Sequence, residues 1–508
     1  VKIDDAARIA PTPTPQDMRR AVAELAGLSI EEVGDDDDLI ALGLDSIQVM
    51  KLASIWASRG YQIRFGDLLE RRTLREWWEL VAASPAIPLV PRDAQSVDDG
   101  TPFDLAIMQH AYWFGRSEGQ PLPAPSHFYF EFDGGAIDPV RLDQAVRRLV
   151  DRHAMLRAQF REDGKQQIGS GARWRGLKLR DFRRSSDAEA AVDLHRVREE
   201  QSRCGPDMER GLGLDVQLSL IAPHRSRVHI NIEMMVADAA SFRTIISELA
   251  RLYADPEMRL PPISYSFRRY LTDRRAEPDG ADRRYWAERL GSLPGPPQLP
   301  FAVEPERLEY IRPVRREHRI TASQWDRLTI RARENGVTPA MILLAAFAEV
   351  LAAWSALPRF VLNLPLFDRQ PLHLHVGSVV GDFTGSILLE ADMSGDCSLV
   401  EHARRLQDRF RADVAHAQYA GVSVLRDVAR LGPPGRLLAP VVFTSALGLG
   451  ELFSDEVRNA FGDLAWMISQ TPQVWLDNQV VENGGELLVN WDAVEGVLAE
   501  GVLDAMFE

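Results

Sequence analysis

The sequence predicts a multidomain chain: a small all-α unit over residues 1–83, a linker over 84–100, and an α/β region in two unequal lobes, 101–275 and 276–508. Three observations predict it. The stretch SPAIPLVPRDAQSVDDG near residues 84–100 sets Pro85, Pro88 and Pro91 among small and acidic residues, as linkers do. Before it, apolar residues recur at helical spacing. After it, helical and strand patterns interleave over about four hundred residues, too many for one core. A length of 508 residues is the size of two to four domains.

The first helix is read over Met18–Leu28, with Ala21, Val22, Leu25 and Leu28 on one stripe. Ser46–Trp56 is the second, with Ile47, Met50, Leu52 and Ile55 as inward positions, and Leu74–Val81 the third. Together they make a small bundle. Beyond the linker, helices are expected over Pro139–His153, Ala240–Tyr253, Ser323–Asn335 and Pro339–Ser355. Strands are expected over Ser126–Phe132, Val228–Met235, Phe360–Leu364, Val441–Thr444 and Leu487–Asn490. The charged stretch DRRAEPDGADRRY at 273–285 is the expected passage between the lobes.

Hydrophobic residues make up 45% and charged residues 26%, the balance of a soluble globular protein. No apolar run approaches the ~18 residues of a membrane helix. Residues 1–20 are polar and broken by Pro11, Pro13 and Pro15, unlike a signal peptide. The chain opens on Val1 and is expected to be a piece of a longer one that continues past Glu508. With only Cys204 and Cys397, neither a disulfide framework nor a cysteine-rich zinc site is expected, which suits the cytoplasm. A net charge of −15 argues against nucleic acid as a partner. P-loop, dinucleotide fingerprint, HExxH and nucleophile-elbow patterns are absent, so no nucleotide or metal is expected.

One candidate modification site stands out in Leu42-Gly43-Leu44-Asp45-Ser46-Ile47. A serine that carries a phosphate ester needs exposure, and a helix start offers unpaired N–H groups and the positive end of the dipole. Asp45 or Ser46 reads equally as a plain helix cap. Residues 21–50 hold eight acids (Glu24, Glu31, Glu32, Asp35, Asp36, Asp37, Asp38, Asp45) and no Lys or Arg. That block suits docking of basic partners, and reads also as a solvated acidic loop.

The stretch DDDDLIALGLDSIQVMKLASIWASRG resembles the acyl and peptidyl carrier family, with Ser46 at the modified serine. The resemblance implies a four-helix carrier bundle bearing a covalent 4′-phosphopantetheine arm. Phe65 with Trp77 and Trp78 in FGDLLERRTLREWWEL is similar to aryl carriers of siderophore synthetases, though both tryptophans also read as core.

Five further motifs occur in order: TPFDLAIMQHAYWFGR (101–116), DRHAMLRAQF (151–160), FVLNLPLFDRQPLHLHVGSVVGDFT (360–384), PVVFTS (440–445) and SQTPQVWLDNQ (469–479). Together they resemble the heterocyclization domains of nonribosomal peptide synthetases, relatives of condensation domains. The arrangement is similar to the opening segment of synthetases for pyochelin- or yersiniabactin-type siderophores. The implied fold is two chloramphenicol-acetyltransferase-like lobes in a V, with a tunnel between them.

Condensation domains of this family carry two adjacent histidines and an aspartate. Cyclization domains carry Asp, four residues, Asp, two residues, Ser. Here Asp238 and Ser241 match, and Glu233 stands for the first aspartate with one more methylene. By strand alternation His229, Asn231, Glu233 and Met235 point one way, and Val228, Ile230, Ile232 and Met234 the other. Glu233 and Asp238 read either as chemistry or as acids tied down by a buried arginine. Met234 takes the place of the second histidine and cannot move a proton, which speaks against imidazole-assisted condensation.

The resemblance implies amide formation between an aryl thioester and a carrier-bound cysteine, then loss of water to a thiazoline; serine or threonine would give an oxazoline. Thr444 and Asp477 match the positions thought to serve ring closure, with Asp238 a third catalytic candidate. An Asp buried beside Trp475 is expected to have a raised pKa, suiting it to donate and accept protons near neutrality. Thr444 also reads as a hydrogen-bonded strand residue and Asp477 as a structural partner. Gln470 and Gln473 are candidates to hold the substrate amide. Tyr112 and Arg116 are expected to brace the tunnel floor. Asn363, Asp382 and His153 read as scaffold. Implied partners are a phosphopantetheinyl transferase, a stand-alone aryl-acid adenylating enzyme, and downstream adenylation and peptidyl carrier domains. Two other readings remain: an ordinary amide-forming condensation domain, and a non-catalytic docking platform.

Overall fold

The computed structural model describes residues 14–508 except 27, 40, 41, 43, 45, 58–60, 62, 64, 70, 85–99, 170–173, 209–211, 275–279, 309–310, 371 and 433–435. At 46, 47, 50, 51, 54, 57 and 65 it describes backbone alone. Most of the expected linker, Pro11, Pro13, Asp45 and the side chains of Ile47, Met50 and Phe65 therefore lie outside the described residues.

The N-terminal bundle comprises the helices Pro15–Ala26, Ser46–Ala57, Phe65–Leu69 and Leu74–Ala83. Thr14 and Asp17 cap the first reciprocally, and Thr73 and Glu76 do the same for the last. Val22, Leu52, Leu68 and Val81 are wholly buried between them. Trp77 is core: it meets Trp56 edge-on at 5.9 Å and donates Nε1–H to Leu68 O at 2.8 Å. Trp78 is exposed.

Part of the acidic block is neutralised from outside the window that defined it. Arg19 pairs with Asp35, Arg75 with Asp36 at 2.7 Å, and Arg72 with Asp38 at 3.9 Å. A purely acidic face is not what this part of the bundle presents.

The bundle rests on the helix Leu399–Ala415 of the larger region, against which Phe65–Leu69 packs. Arg72 reaches Asp408 at 3.2 Å. A Cβ at Gly66 would lie 3.0 Å from Ala415 Cα and 3.2 Å from Val414 O, backbone atoms that have no side-chain freedom to yield. Gly66→Leu is expected to lift the bundle off, raising the radius of gyration in small-angle scattering while circular dichroism stays unchanged.

Among the described residues the larger region holds two large sheets and a small one, in which Lys165–Ile168 lies between Phe103–Asp104 and Ala158–Phe160. The first runs in the order Lys178–Asp181, Leu214–Ala222, Arg225–Glu233, His127–Gly134 and Asp463–Gln470. The second runs Thr384–Asp392, Arg359–Phe367, Val441–Ser445, Leu476–Asn483, Glu486–Val494 and Pro313–Ile320. Helices Pro139–Arg152 and Ala239–Ala254 cover the first sheet through Leu142, Val146, Leu149, Ile245 and Leu249. Pro339–Trp354 and Leu399–Ala415 cover the second. Pro139 and Pro339 sit in the first turns of their helices, where proline loses no hydrogen bond.

The lobes are not contiguous in sequence, which corrects the simple division near 275. Leu452, Phe453, Val457 and Phe461 pack into the first lobe's core, and Asp463–Gln470 joins its sheet beside His127–Gly134. Gly134 and Gly462 permit the crossing: a Cβ on Gly462 would fall 1.9 Å from Asp133 O. The strand Arg225–Glu233 alternates as expected, with Val228, Ile230 and Ile232 in the core. It stops at Glu233, however, and the turn that follows brings Met234 and Met235 into one cluster with Tyr112.

Among the described residues no single helix is long and apolar enough to cross a membrane. Ala322–Glu334 and Pro339–Trp354 pass that test only together, bent by 97°, and the apolar side chains of the latter are core.

Candidate active site

Val441–Ser445 and Leu476–Asn483 are parallel neighbours in the second sheet, with Val442 opposite Asp477 and Thr444 opposite Gln479. Val441, Phe443, Leu476 and Val480 point into the helix-covered core. Alternation turns Thr444, Asp477 and Gln479 to the other face, toward the first lobe. There Thr444 Oγ1 donates to Asp477 Oδ1 at 2.9 Å, and Gln479 Nε2 donates to Asp477 Oδ2 at 2.7 Å.

Behind Gln479 stands a buried ion pair. Arg315 Nε and Nη2 each reach a different oxygen of Asp492 at 2.6 Å, and Arg315 Nη2 also donates to Gln479 Oε1 at 3.2 Å. Asp492 accepts from Ser469 N at 3.0 Å, on the strand that crossed into the first sheet. The network therefore spans both lobes and fixes the orientation of Gln479.

Burial pushes the Asp477 carboxyl up to about 7; the Gln479 hydrogen bond opposes this, the nearby Asp492 charge adds to it, and Thr444 and Arg315 oppose it. Trp475 packs edge-on against Phe301, its ring centroid 5.5 Å away. The groups that act on the Asp477 carboxyl are the polar and charged residues Gln479, Asp492, Thr444 and Arg315. A carboxyl in this range both donates and accepts protons at neutral pH.

The motif that follows Arg225–Glu233 is held differently. Glu233 is wholly buried, takes the Ser126 hydroxyl, and lies 3.5 Å from Arg116 Nη1. Burial raises its pKa and Arg116 pulls it back. Asp238 caps Ala239–Ala254, accepting from Ser241 N at 2.7 Å, and pairs with Arg369 at 2.9 Å. Arg369 also donates to Ser241 Oγ at 2.9 Å and to Val379 O at 2.7 Å, and stacks 3.9 Å over Phe383. Ser241 Oγ and Asp238 N both bind Gly381 O, at 2.9 and 3.0 Å. Asp238 and Ser241 thus form a clamp between lobes.

The remaining sequence candidates divide. Gln470 is buried with Oε1 3.3 Å from His127 Nε2. Gln473 occupies a left-handed turn (φ 64°) whose N–H binds Leu122 O at 3.1 Å. His153 is buried against Glu248 at 2.7 Å, as scaffold. Asn363 lies opposite Val442 in the second sheet. Tyr112 is buried beside Met234 and Met235, and burial with the charges of Asp382, Asp477, Glu233 and Asp238 raises its phenol far above its ordinary value.

Sequence reasoning missed Arg369, Gln479, Asp492 and Arg315. One signal was present: Asn490 and Asp492 alternate as polar residues within the otherwise apolar LLVNWDAV, marking a polar face on a buried strand. Arg369 gave none, since it reaches Asp238 from a loop 131 positions away.

No group of three side chains able to hold a metal occurs among the described residues. The prosthetic arm fits the bundle: Ser46 is the first residue of a 12-residue helix, the kind of position where first-turn N–H groups favour a phosphodiester. The helix is anchored by Gln48 Nε2 to Leu25 O at 2.7 Å.

A family model for the condensation domain matches residues 105–444, and one for the phosphopantetheine attachment site matches 16–81. The chain is 43% identical over 503 residues to "Phenyloxazoline synthase MbtB" of Mycobacterium tuberculosis, covering 96% of this chain and 35% of that protein. It is 37% identical to "Pyochelin synthetase PchE" of Pseudomonas aeruginosa, with 97% and 35% covered. The chain thus spans about a third of the length of these relatives. Its structure is similar to the EpoB cyclization-docking bidomain from Sorangium cellulosum, with TM-score 0.73, 34% identity, and 80% of this chain and 83% of that one covered.

Proposed function

Because the chain belongs to the condensation-domain family of nonribosomal peptide synthetases, in its cyclization branch, and carries a phosphopantetheine attachment domain, we propose that it joins an aryl acid to a carrier-bound amino acid and closes the product to a five-membered ring. When bound at Ser46, the arm supplies a flexible thiol that holds the acyl group. The observation that carries the reading is the Thr444–Asp477 pair, 2.9 Å apart on the interlobe face, in a domain whose imidazole position holds Met234.

Ring closure needs a side-chain thiol or hydroxyl to attack the new amide carbon, and its proton passes to the carbonyl oxygen. That oxygen then leaves as water, taking one more proton, while the amide nitrogen gives one up. Asp477, held near 7, donates the first of these and recovers the second, so its protonation is unchanged after each turnover. Thr444 aligns one carboxyl oxygen and Gln479 the other. Glu233, Asp238 and Ser241 act as positioning residues, since each is already engaged by Ser126, Arg116, Arg369 or Gly381.

The family resemblance implies cysteine and a thiazoline, or serine or threonine and an oxazoline. The higher identity to a protein named phenyloxazoline synthase favours serine or threonine and an oxazoline. We further propose siderophore assembly as the setting, with a phosphopantetheinyl transferase, an aryl-acid adenylating enzyme and downstream adenylation and peptidyl carrier domains as partners. Cys204 and Cys397 are free thiols, as suits the cytoplasm.

The test is intact-mass analysis of the pantetheinylated chain, mixed with an aryl-activating enzyme and a downstream carrier loaded with cysteine, serine or threonine in parallel. The expected product is an aryl-aminoacyl group less one further water, on one of these carriers. An amide that keeps that water makes the chain a condensation catalyst only, and no amide at all makes it a docking platform.

A further inference from the structure

Asp382 is a buried acid that the ring-closing chemistry does not use. It is 2% exposed, and Oδ1 accepts from Thr384 N at 3.1 Å. Oδ2 has no hydrogen-bond partner among the described residues. A buried carboxylate oxygen left unsatisfied is costly, and native proteins tolerate it where a ligand, water or reaction requires it. Two arginines of this region are committed elsewhere: Arg274 pairs with Asp368, and Arg369 with Asp238.

The backbone places this carboxyl at the junction of the lobes. Its neighbour Gly381 binds Asp238 N and Ser241. Its other neighbour, Phe383, is turned into the first lobe's core against Phe267 and Tyr270. The strand Thr384–Asp392 that follows packs against the helix Ile107–Gly115, which carries Tyr112. Of the four carboxyl groups that act on the Tyr112 phenol, Asp382 does so most and Asp477 next. Tyr112 also packs with Met234, the residue that leaves the imidazole position without a base. The first stage, amide formation, therefore needs a proton acceptor that the usual motif does not supply.

We propose that Asp382 is the proton acceptor for amide formation, acting beside the Tyr112 hydroxyl, while Asp477 serves ring closure. This rests on the two-stage reaction proposed above. As the amine nitrogen bonds to the thioester carbon, its proton passes to the Asp382 carboxylate. The C–S bond breaks with its electron pair on sulfur, and the same proton is then returned to the sulfur. Atoms and charge balance with no further reactant. Burial raises the pKa of Asp382 to about 7, the Thr384 hydrogen bond opposes this, the Asp238 charge adds to it, and Arg274 opposes it. Near neutrality the group therefore accepts and releases a proton readily. Of the other charged groups around it, Glu233 and Asp477 also act on Tyr112, and Arg369 stacks on Phe383.

Asp382→Asn keeps an oxygen to accept from Thr384 N, and Oδ2 has no partner among the described residues, so the variant is expected to fold. Amide formation is expected to slow about 10²- to 10⁴-fold, while preformed amide still cyclizes at the wild-type rate. Asp382→Glu is expected to recover part of the loss. Infrared difference spectra of ¹³C-aspartate protein, wild type minus Asp382→Asn, should show a carboxyl titrating near neutrality, a readout that needs no turnover. Amide formation at the wild-type rate in Asp382→Asn, or no such titration, overturns the proposal. Wild type that forms no amide overturns instead the reaction on which it rests.

Discussion

Asp477→Asn is expected to leave amide formation intact and to slow ring closure about 10²- to 10⁴-fold, so that uncyclized amide accumulates on the downstream carrier. Asparagine still accepts the Thr444 hydroxyl through Oδ1; its amide nitrogen no longer accepts from Gln479 Nε2, which keeps Ser469 Oγ and Asp492 Oδ2 as acceptors, so the sheet register is expected to hold. What it loses is a transferable proton. In the wild type the Asp477 proton is held to about 7 by burial. Loss of the acid form should therefore lower the rate of ring closure above that pH. Thr444→Val removes a hydrogen bond that favours the ionised form, so the alkaline limb should move upward. Rates of water loss measured by mass spectrometry from pH 5.5 to 9 check both. A loss of amide and ring together in Asp477→Asn would place the residue in the first stage instead.

The same carboxyl leaves a thermodynamic trace. The unfolded chain releases an aspartate proton near ~3.9, whereas the folded protein holds that of Asp477 to about 7. Between those values the folded state binds more protons, so this contribution to stability is fully present below the unfolded pKa. It is lost as pH rises through the folded one. At ~1.36 kcal/mol per pKa unit, the loss from pH 5 to 8 is roughly 3 kcal/mol. Asp477→Asn has no such loss. Its Tm minus that of wild type should therefore rise from pH 5 to pH 8, with Asp382 cancelling because both proteins carry it.

Much of this arrangement was legible before the fold was known, for local reasons. The helices Pro139–Arg152 and Pro339–Trp354 announce themselves by a cap followed by proline and an apolar stripe. Arg225–Glu233 announces itself by alternation. Asp187–Arg203 escaped notice because its buried face is thin, Ala190, Leu194 and Val197 among charges. Asp463–Gln470 carries no mark of which sheet it joins; that is settled by Phe453 and Phe461 seating in the first lobe's core. At the site, Thr444 and Asp477 were legible as motif members. Their partners were not, because Gln479, Asp492 and Arg315 meet across strands whose register a sequence does not display. The acidic block misled for the opposite reason: Arg19, Arg72 and Arg75, which neutralise part of it, lie outside the window that makes it look unbalanced.

Arg315→Met is expected to be among the most damaging substitutions to the fold. The Arg315 and Asp492 side chains are 1% and 5% exposed and share two hydrogen bonds of 2.6 Å. Removing one partner of such a pair leaves an uncompensated charge in low dielectric, at about 3–5 kcal/mol. For a domain this size that is a fall in Tm on the order of 10 °C, and calorimetry should show it. Methionine fills the space of the arginine stem, so the loss reports the charge rather than a cavity. Replacing both partners, Arg315→Met with Asp492→Leu, should recover most of the stability, because a well-packed apolar pair avoids desolvating two ions. Function separates the two variants from wild type in opposite senses. Arg315 lowers the Asp477 pKa and Asp492 raises it, so the single variant should shift the alkaline limb of ring closure upward. In the double variant those two influences are both gone and the limb should return toward its wild-type position. A double variant as unstable as the single one would mean that the network is held by Gln479 and Ser469 rather than by the ion pair.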